Sequence, residues 1–213
     1  MGYVFTFQDA ATYDKLLQTA DRRTYSQFES QLMLEMLRPE PGDTLLEVGC
    51  GTGASLLQLL ERRLQLTGID ASPYMLDFAR RHLGQRCELY RAQAEDLPFD
   101  DNTFNHTIFM TSLEFVEDPR QALAEACRVT KDRLFIGILN RFAIMGLQRR
   151  IKGIFQHSIY NRARFFSIWE VKAMVRALVG DVPMQWRTIC QLPLAPVGIT
   201  GKIERSGLVQ RCP

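Results

Sequence analysis

Three glycines follow a short apolar run and have the spacing of a loop that receives a ligand. Gly49, Gly51 and Gly53 come directly after Thr44–Val48, and a segment with helical spacing begins at Ala54. Glycine allows a tight turn and lets a ligand approach without a Cβ in the way. Backbone amides at the start of a helix favour a negative group, which here would be a phosphate or a carboxylate. The loop therefore predicts a binding site at the end of a strand.

An acid at a fixed distance after the glycines narrows the kind of ligand. Asp70 follows the second apolar run, Leu66–Ile69, and lies 21 residues after Gly49 (70 − 49). An acid in this place accepts hydrogen bonds from ribose hydroxyls. Gly49, Gly51 and Ala54 also satisfy the dinucleotide pattern G-x-G-x-x-G/A, so more than one cofactor type fits. Each of these types contains adenosine, and the sequence therefore predicts an adenosine-type cofactor.

Short strands alternate with helices along the chain and would position these residues. The predicted strands are Thr44–Val48, Leu66–Ile69, Cys87–Tyr90, Phe104–Met110 and Arg133–Leu139, with another near Met184–Cys190. Arg133–Leu139 is almost wholly apolar, which predicts burial on both faces. Strands that alternate with helices form parallel βαβ units, and such sheets bind ligands beyond the carboxyl ends of their strands. Gly49 and Asp70 both fall at such ends.

The predicted helices begin at recognisable capping residues. Ser72 with Pro73 begins a helix that ends near Leu83, and Asp118 with Pro119 begins another. Further helices are predicted over 54–64, over 26–37, where Ser26 and Glu29 have capping-box spacing, and over 167–178.

Composition and charge exclude several classes of protein. The 213 residues include 26 Lys plus Arg and 24 Asp plus Glu, and the net charge of +2 is too small for a dedicated nucleic-acid binder. The five cysteines are scattered without a Cys-x-x-Cys pair, so no metal site is predicted. The first twenty residues lack the pattern of a signal peptide, and the apolar runs are shorter than the ~20 residues of a membrane span. The expected location is the cytoplasm.

Five motifs together resemble those of one enzyme family. They are LLEVGCGTG (45–53), GIDASPYML (68–76), AEDLPF (94–99), FNHTIFMTSLEFVEDP (104–119) and RVTKD (128–132). The chain resembles the class I S-adenosylmethionine-dependent methyltransferases, within the branch of the ubiquinone/menaquinone-biosynthesis and malonyl-carrier-protein methyltransferases. The resemblance covers about residues 10–140 well.

The resemblance implies a fold and a division of the chain. The fold is α/β, with a Rossmann-like, doubly wound, mainly parallel seven-stranded sheet whose last strand is short or missing, and with helices on both faces. One methyltransferase domain would span residues 1–213. It would comprise an N-terminal helical cover (1–40), a cofactor-binding core (41–140), and an acceptor-side cap with C-terminal strands (141–213).

The resemblance also implies which residues bind S-adenosylmethionine. They are Tyr13, Glu47, Gly49, Cys50, Gly51, Gly53, Asp70, Ala71, Met75, Gln93, Ala94, Glu95 and Thr111. The glycine loop would hold the methionine portion, Glu47 would orient that loop or reach the ammonium, and Asp70 would bind the ribose. Ala71 and Met75 would line the adenine. The remaining residues would contact the adenine edge, border the methyl group or, like Tyr13, close over the cofactor.

One of these residues departs from the pattern of the family. Gln93 stands where the family often has aspartate, which accepts a hydrogen bond from the adenine amino group. A glutamine oxygen can accept the same bond.

Methyl transfer from a sulfonium is an in-line displacement that depends mainly on alignment and desolvation. A general base is needed only when the acceptor arrives protonated. His157, Tyr160 and Glu114 are the candidates for that role. The alternatives are a surface position for His157, packing for Tyr160 and a structural acid for Glu114.

A basic, partly apolar segment follows the fifth predicted strand. Between Asp132 and Glu170 the chain has no acid but seven basic residues, which leaves 19 basic against 24 acidic residues elsewhere. Such a segment can receive an apolar or anionic acceptor, or contact a membrane surface through 141–164. A solvated helix face is the alternative.

The sequence leaves other functions open beside small-molecule methylation. A macromolecular methyltransferase is disfavoured because Met110–Ser112 lacks the Asn/Asp-Pro-Pro-aromatic motif of amino-group modification. A protein that binds S-adenosylmethionine without turnover is also compatible with an intact loop. A nicotinamide enzyme is disfavoured because no Tyr-x-x-x-Lys pair is present. Small-molecule methyl transfer is therefore the expected function.

Overall fold

The computed structural model describes residues 2–141 and 159–188 of the chain. The chain divides into two compact units, Met1–Ile138 and Leu139–Pro213. The predicted organisation as one domain over 1–213, with divisions near 40 and 140, stays a prediction.

A parallel sheet forms the centre of the first unit. Its strands are β1 (Thr44–Val48), β2 (Gln65–Asp70), β3 (Glu88–Arg91), β4 (Phe104–Met110) and β5 (Thr130–Gly137). They lie in the order β3-β2-β1-β4-β5, and every neighbouring pair is parallel. β1 pairs with β2 on one side and β4 on the other, so the strand order reverses beside β1, and a sheet of this kind binds ligands at the carboxyl end of that strand.

Helices cover both faces of this sheet. They are α1 (Phe7–Leu17), α2 (Ala20–Leu37), α3 (Ala54–Leu59), α4 (Pro73–Leu83) and α5 (Pro119–Val129). On one face, Ile108 of β4 joins a buried cluster with Met33 of α2, Leu56 of α3 and Leu76 of α4. Side chains alternate across a strand, so the buried Phe109 faces the other side, where α5 packs against β4 and β5. The predicted α/β fold is confirmed, and the described residues supply five of its strands.

Local capping explains why two of these helices begin where the sequence predicts. The Ser72 hydroxyl accepts a hydrogen bond from the Met75 amide at the start of α4. The Asp118 carboxylate accepts bonds from the amides of Arg120 and Gln121 at the start of α5. Both helices have proline at their first position, where no amide donor is lost. The connections that leave β2 and β4 are therefore fixed in direction.

The predicted helix over 54–64 ends at Leu59 and continues as a 3₁₀ turn over Leu60–Arg62. Three further predicted elements differ from the structure. α2 begins at Ala20, and Ser26 lies inside it with its hydroxyl accepting from the Gln58 side chain rather than capping the helix. β5 begins at Thr130 and is partly exposed, because it is the edge strand of the sheet that the described residues form. Residues 184–188 have no strand, and 189–190 lie outside the described residues. Each of these three predictions was wrong in that respect.

In the second unit, the described residues form one helix and a short turn of 3₁₀ helix. The helix α6 (Ile168–Val179) begins with a full capping box between Ser167 and Glu170, and the 3₁₀ turn is Ile159–Arg162. The Arg141 guanidinium donates to the Phe165 carbonyl and to Glu170 at 3.1 Å. The predicted helix over 167–178 is thus present. The predicted last strand lies outside the described residues, as does most of 141–164.

Candidate functional site

The glycine loop between β1 and α3 has a left-handed backbone at each of its glycines. The φ angles of Gly49, Gly51 and Gly53 are +73°, +53° and +81°. A Cβ on Gly49 would lie 2.4 Å from the Ser112 Cβ, and one on Gly53 would lie 2.8 Å from the Leu83 Cδ1. These two glycines therefore permit close packing. A Cβ on Gly51 would instead lie at ordinary contact distance from two side chains, so Gly51 is the one of these three glycines where a Cβ would meet no close contact.

The amides of the loop are already used within the protein. Those of Gly49 and Cys50 both donate to the Ile69 carbonyl, at 2.9 and 2.8 Å, and that of Gly53 donates to Cys50 at 2.9 Å. The Gly51 amide donates to the Asp70 carboxylate at 2.9 Å. These four amides thus have partners within the protein, and the prediction that the loop amides bind a negative group of a ligand stays a prediction. The end of β2 holds the loop in its shape.

Asp70 sits where β2 ends and binds two separate backbone segments. Its Oδ2 accepts from the Gly51 amide at 2.9 Å and its Oδ1 from the Ser72 amide at 2.8 Å. Burial raises the pKa of Asp70, and these two hydrogen bonds oppose that rise. Each carboxylate oxygen has a second lone pair, so Asp70 can still accept hydrogen bonds from a ligand with two hydroxyls.

Two buried oxygens beside the loop lack a hydrogen-bond partner within the described ranges. They are Oε2 of Glu47 and Oγ1 of Thr52, and both residues are about 1% exposed. Burial raises the pKa of Glu47 to about 8; a hydrogen bond from Ser55 opposes the rise, and the charge of Asp70 adds to it. Glu47 is therefore mainly protonated at neutral pH. Buried polar atoms are usually paired, so this pair of oxygens marks a place for a polar ligand group.

Two side chains lie against the glycine loop at Gly51. The Tyr13 ring of α1 lies 3.8 Å, and the Met75 sulfur of α4 4.0 Å, from the Cβ position of Gly51. Burial raises the pKa of Tyr13, so its hydroxyl stays neutral. Met75 is buried, and the Ala71 carbonyl accepts from Arg91 at 3.3 Å. The structure thus brings Tyr13, Gly51 and Met75 together.

The first residues of the chain lie across the ends of two strands. The Tyr3 amide donates to the Phe115 carbonyl at 2.8 Å, just after β4. The Phe5 carbonyl accepts from the Ser72 hydroxyl at 2.6 Å, just after β2. Residues 2–6 therefore link the carboxyl ends of β2 and β4, and they lead into the helix that carries Tyr13.

The end of β4 is fixed against the end of β1. The Ser112 hydroxyl donates to the Val48 carbonyl at 2.5 Å. Thr111 has a φ of +56°, which is unfavourable for a β-branched residue, and its amide donates to Gly137 at 2.9 Å. Glu114 follows in a short 3₁₀ helix and is 2% exposed. This strained and buried turn is a typical place for residues that contact a reacting group.

The turn after β3 holds the remaining predicted residues. Gln93 is exposed and bridges to Asp96, and Ala94 is half-buried. The Glu95 carboxylate accepts from the amides of Glu117 and Asp118 at 2.8 and 3.2 Å. The side chain of Glu95 thus joins this turn to the start of α5.

The two other candidate bases belong to the second unit of the chain. His157 is outside the described residues, and Tyr160 belongs to the 3₁₀ turn of the second unit. Their predicted roles stay predictions. Sequence reasoning missed Ser112 as the residue that holds β4 against the glycine loop. The glycine pattern shows that position 49 has no side chain, but it does not show that Ser112 is the residue packed against that position.

No group of three or more His, Cys, Asp or Glu side chains within the described ranges is arranged to hold a metal ion. No helix in those ranges is both long and apolar enough to cross a membrane.

Comparison with known proteins identifies the family. A methyltransferase domain model matches residues 46–135. A phosphatidylethanolamine N-methyltransferase of Cereibacter sphaeroides is 31% identical over 165 residues, which cover 74% of this chain and 77% of that protein. The chain belongs to the S-adenosylmethionine-dependent methyltransferases.

Two further proteins show how far this likeness extends. A demethylmenaquinone methyltransferase of Clavibacter sepedonicus is 37% identical to this methyltransferase over 95 residues, which cover 44% of this chain and 39% of that protein. A crystal structure of an S-adenosylmethionine-dependent methyltransferase from Thermotoga maritima superposes with a TM-score of 0.63 at 26% identity, covering 81% of this chain and 77% of that one. These likenesses agree with the predicted branch and with S-adenosylmethionine as cofactor.

The residues around the loop of this methyltransferase suit that cofactor. A sulfonium and an ammonium are cationic, and the buried Glu47 carboxyl has an oxygen without a partner in the described ranges. A ribose diol suits Asp70, whose oxygens each keep a lone pair. Gly51 lies beside Tyr13 and Met75, and these two side chains can border a flat ring. The donor set is therefore compatible with S-adenosylmethionine.

Proposed function

We propose that this methyltransferase transfers the methyl group of S-adenosylmethionine to a small-molecule acceptor. The observation that supports the proposal most is the likeness over 165 residues to a protein named for phosphatidylethanolamine. A second relative is named for demethylmenaquinone. Both names specify small, partly apolar molecules, and an apolar or anionic acceptor also agrees with the basic segment 141–164 of the sequence.

The cofactor would be held by the carboxyl ends of β1 and β2. Asp70 would accept the ribose hydroxyls while its bonds to Gly51 and Ser72 keep the carboxylate oriented. Glu47 would face the cationic part of the cofactor, which would favour loss of the proton that burial retains. The cofactor would lie against Gly51, beneath Tyr13. Gly49, Cys50 and Gly53 would keep the loop in shape.

The adenine would lie toward α4 and the turn after β3. Met75 is buried beside Gly51 and would pack against the ring, next to Ala71. Gln93 and Ala94 would meet its polar edge, and Glu95 would hold their turn in place through its bonds to Glu117 and Asp118. These contacts would select an adenosine-containing ligand.

The bound cofactor supplies a methyl group made electrophilic by the attached sulfonium. The contribution of the chain is then alignment and exclusion of water. Residues 2–6 and α1 would cover the site, and Thr111 would border the methyl group from the end of β4. For an acceptor that arrives protonated, Glu114 is the described residue best placed to take up a proton, because it is a buried carboxyl that follows β4. His157 and Tyr160 remain candidates.

A methyl-transfer screen tests the proposal. Purified protein is incubated with S-adenosylmethionine and single acceptors: phosphatidylethanolamine, a demethylated quinol, a phenol, a fatty-acyl carboxylate, total transfer RNA and a protein extract. Formation of S-adenosylhomocysteine is measured together with methylated product. We expect turnover with at least one small molecule.

Two variants control the screen. Asp70→Asn removes the charge that would bind ribose, and Asp77→Asn removes an exposed charge on α4 that pairs with Arg80. Only Asp70→Asn should lose turnover. Methylation confined to RNA or protein would overturn the small-molecule proposal.

A further inference from the structure

A group of apolar side chains is exposed where α1 lies beside α4. Phe7 is 57% exposed and Tyr74 44%. Phe78, one turn after Tyr74 on α4, is partly exposed. We call Phe7, Tyr74, Phe78 and Arg81 the aromatic surface. Single exposed apolar residues are ordinary, whereas a contiguous group of them is typical of an interaction site.

The rings of the aromatic surface are ordered by contact with one another. Phe7 meets Tyr74 edge to face with centroids 6.0 Å apart, and it meets Phe78 at 6.5 Å. The Arg81 guanidinium lies over the Phe78 ring, 5.1 Å from its centroid. These contacts hold the rings at the surface, so little conformational entropy would be lost when they meet a partner.

The charge of the adjoining helix is positive. Residues 73–86 contain Arg80, Arg81 and Arg86 but a single acid, Asp77, which forms an ion pair with Arg80 at 3.0 Å. The basic residues cluster in the last turn of α4, whereas Tyr74 lies in its first turn. About 10 Å of helix separates Tyr74 from Arg81, since each residue adds about 1.5 Å. The exposed rings are thus flanked by cationic side chains on one side.

The aromatic surface lies beside the proposed cofactor site. Tyr74 is the residue before Met75, and α4 begins directly after the Asp70 turn. Phe7 is the first residue of α1, the helix that carries Tyr13. A partner that binds this surface would therefore meet the carboxyl-end edge of the sheet.

We propose that the aromatic surface docks the protein on an anionic phospholipid bilayer. Aromatic rings are favourable at the depth of the headgroups, where one part of the ring meets hydrocarbon and another meets polar groups. Arginine side chains beside the rings would bind lipid phosphates, so charge and apolar contact would act together. The surface is formed by two adjacent helices, which suits shallow contact with a membrane plane.

This inference goes beyond the proposed function and concerns a surface outside the cofactor site. Docking would place the edge of the site near acceptors that partition into lipid. Binding to vesicles can be measured without methyl transfer. A failure of docking would therefore leave the small-molecule proposal intact, and a failure of the acceptor screen would leave docking intact.

The experiment measures sedimentation of the full chain with sucrose-loaded vesicles. One set contains phosphatidylcholine alone, and the other contains about 30% phosphatidylglycerol, so that headgroup charge is the variable. The double variant Phe7→Ser/Tyr74→Ser removes the two most exposed rings. Leu57→Ser is the matched control, because Leu57 on α3 is 44% exposed and lies outside the aromatic surface. Thermal shift with S-adenosylhomocysteine checks that all variants are folded.

We expect binding to the anionic vesicles, weakened by high salt. The affinity of the double variant for the anionic vesicles should fall roughly tenfold or more, whereas Leu57→Ser should bind like the wild type. Arg81→Gln should weaken binding to anionic vesicles without affecting the folded fraction. Equal loss in the Leu57→Ser control, or an unchanged double variant, would overturn the proposal; the latter result would move the contact to another segment such as 141–164. A wild type that forms dimers, with a double variant that does not, would show that a second copy covers this surface and would also overturn it.

Discussion

Glu47 should make the stability of the ligand-free protein fall as the pH rises. The unfolded chain has an ordinary glutamate pKa of 4.5, whereas burial raises the pKa in the folded state to about 8. Between these values the folded protein keeps a proton that the unfolded chain has lost. The free energy of unfolding therefore decreases with increasing pH over this window and levels off above it.

The magnitude follows from the two pKa values. The full difference from 4.5 to about 8 corresponds to about 5 kcal/mol of unfolding free energy. Between pH 5 and pH 8 the two titration curves give a loss of roughly 3–4 kcal/mol. Glu47 is 1% exposed, so solvent screening does not reduce this estimate much. The loss is large compared with the roughly 5–15 kcal/mol that stabilises a typical domain.

Urea denaturation across this pH range measures the effect. Glu47→Gln keeps the size of the side chain and removes its titration, so the difference in stability between wild type and variant should change by about the same amount. Other titrating groups contribute equally to both proteins and cancel in this difference. Glu61→Gln, at an exposed position, controls for the loss of one carboxyl. Parallel pH profiles for wild type and Glu47→Gln would refute the reasoning.

Three other substitutions test the packing and the site. Gly49→Ala adds a Cβ 2.4 Å from the Ser112 Cβ at a left-handed φ and should destabilise the protein by about 3 kcal/mol. Gly42→Ala also lies at a positive φ but has open space around its Cβ, and it should cost about 1–2 kcal/mol in urea denaturation. Leu123→Ala empties a fully buried position on α5 and should cost roughly 2–5 kcal/mol, whereas Leu57→Ala, at an exposed position, should cost less than about 1 kcal/mol. Asp70→Asn should weaken S-adenosylhomocysteine binding about tenfold or more by calorimetry, because a hydrogen bond to a charged group is replaced by one to an amide; unchanged affinity would remove Asp70 from the proposed site.

The elements with strong local signals could be predicted from the sequence. β1 and β4 have the predicted bounds because each is a short, mainly apolar run that ends at a turn. α4 has them because Ser72 caps it, Pro73 occupies its first position and Gly84 ends it. In these cases the information lies within a few residues of the boundary.

The errors arose where distant contacts decide the structure. Ser26 and Glu29 have capping-box spacing, yet α2 extends seven positions further to Thr19 as its N-cap, and Ser26 bonds with Gln58. The partial exposure of β5 depends on its place at the edge of the described sheet. Neither partner is visible in a local pattern, because sheet order and side-chain pairing are tertiary properties.

The same distinction applies to the candidate site. The spacing from Gly49 to Asp70 correctly indicated that the loop and the acid meet, because both follow adjacent parallel strands. It could not indicate that the Gly51 amide would donate to Asp70, nor that Ile69 would accept from two loop amides. The direction of the loop amides is decided by the backbone geometry of the turn, which the glycine pattern leaves open.

Because Gly49 lies against Ser112, the side chain that fits at one of these positions depends on the size of the side chain at the other. There is no room for a Cβ at position 49 while position 112 carries its own, and the Ser112 hydroxyl also holds the Val48 carbonyl. A change at either position should therefore be tolerated better when the other changes with it. Ser112→Gly should recover part of the stability lost in Gly49→Ala, and a double-mutant cycle would give the coupling energy. Redesign of the β4 end for a different acceptor must therefore treat the glycine loop as part of the same unit.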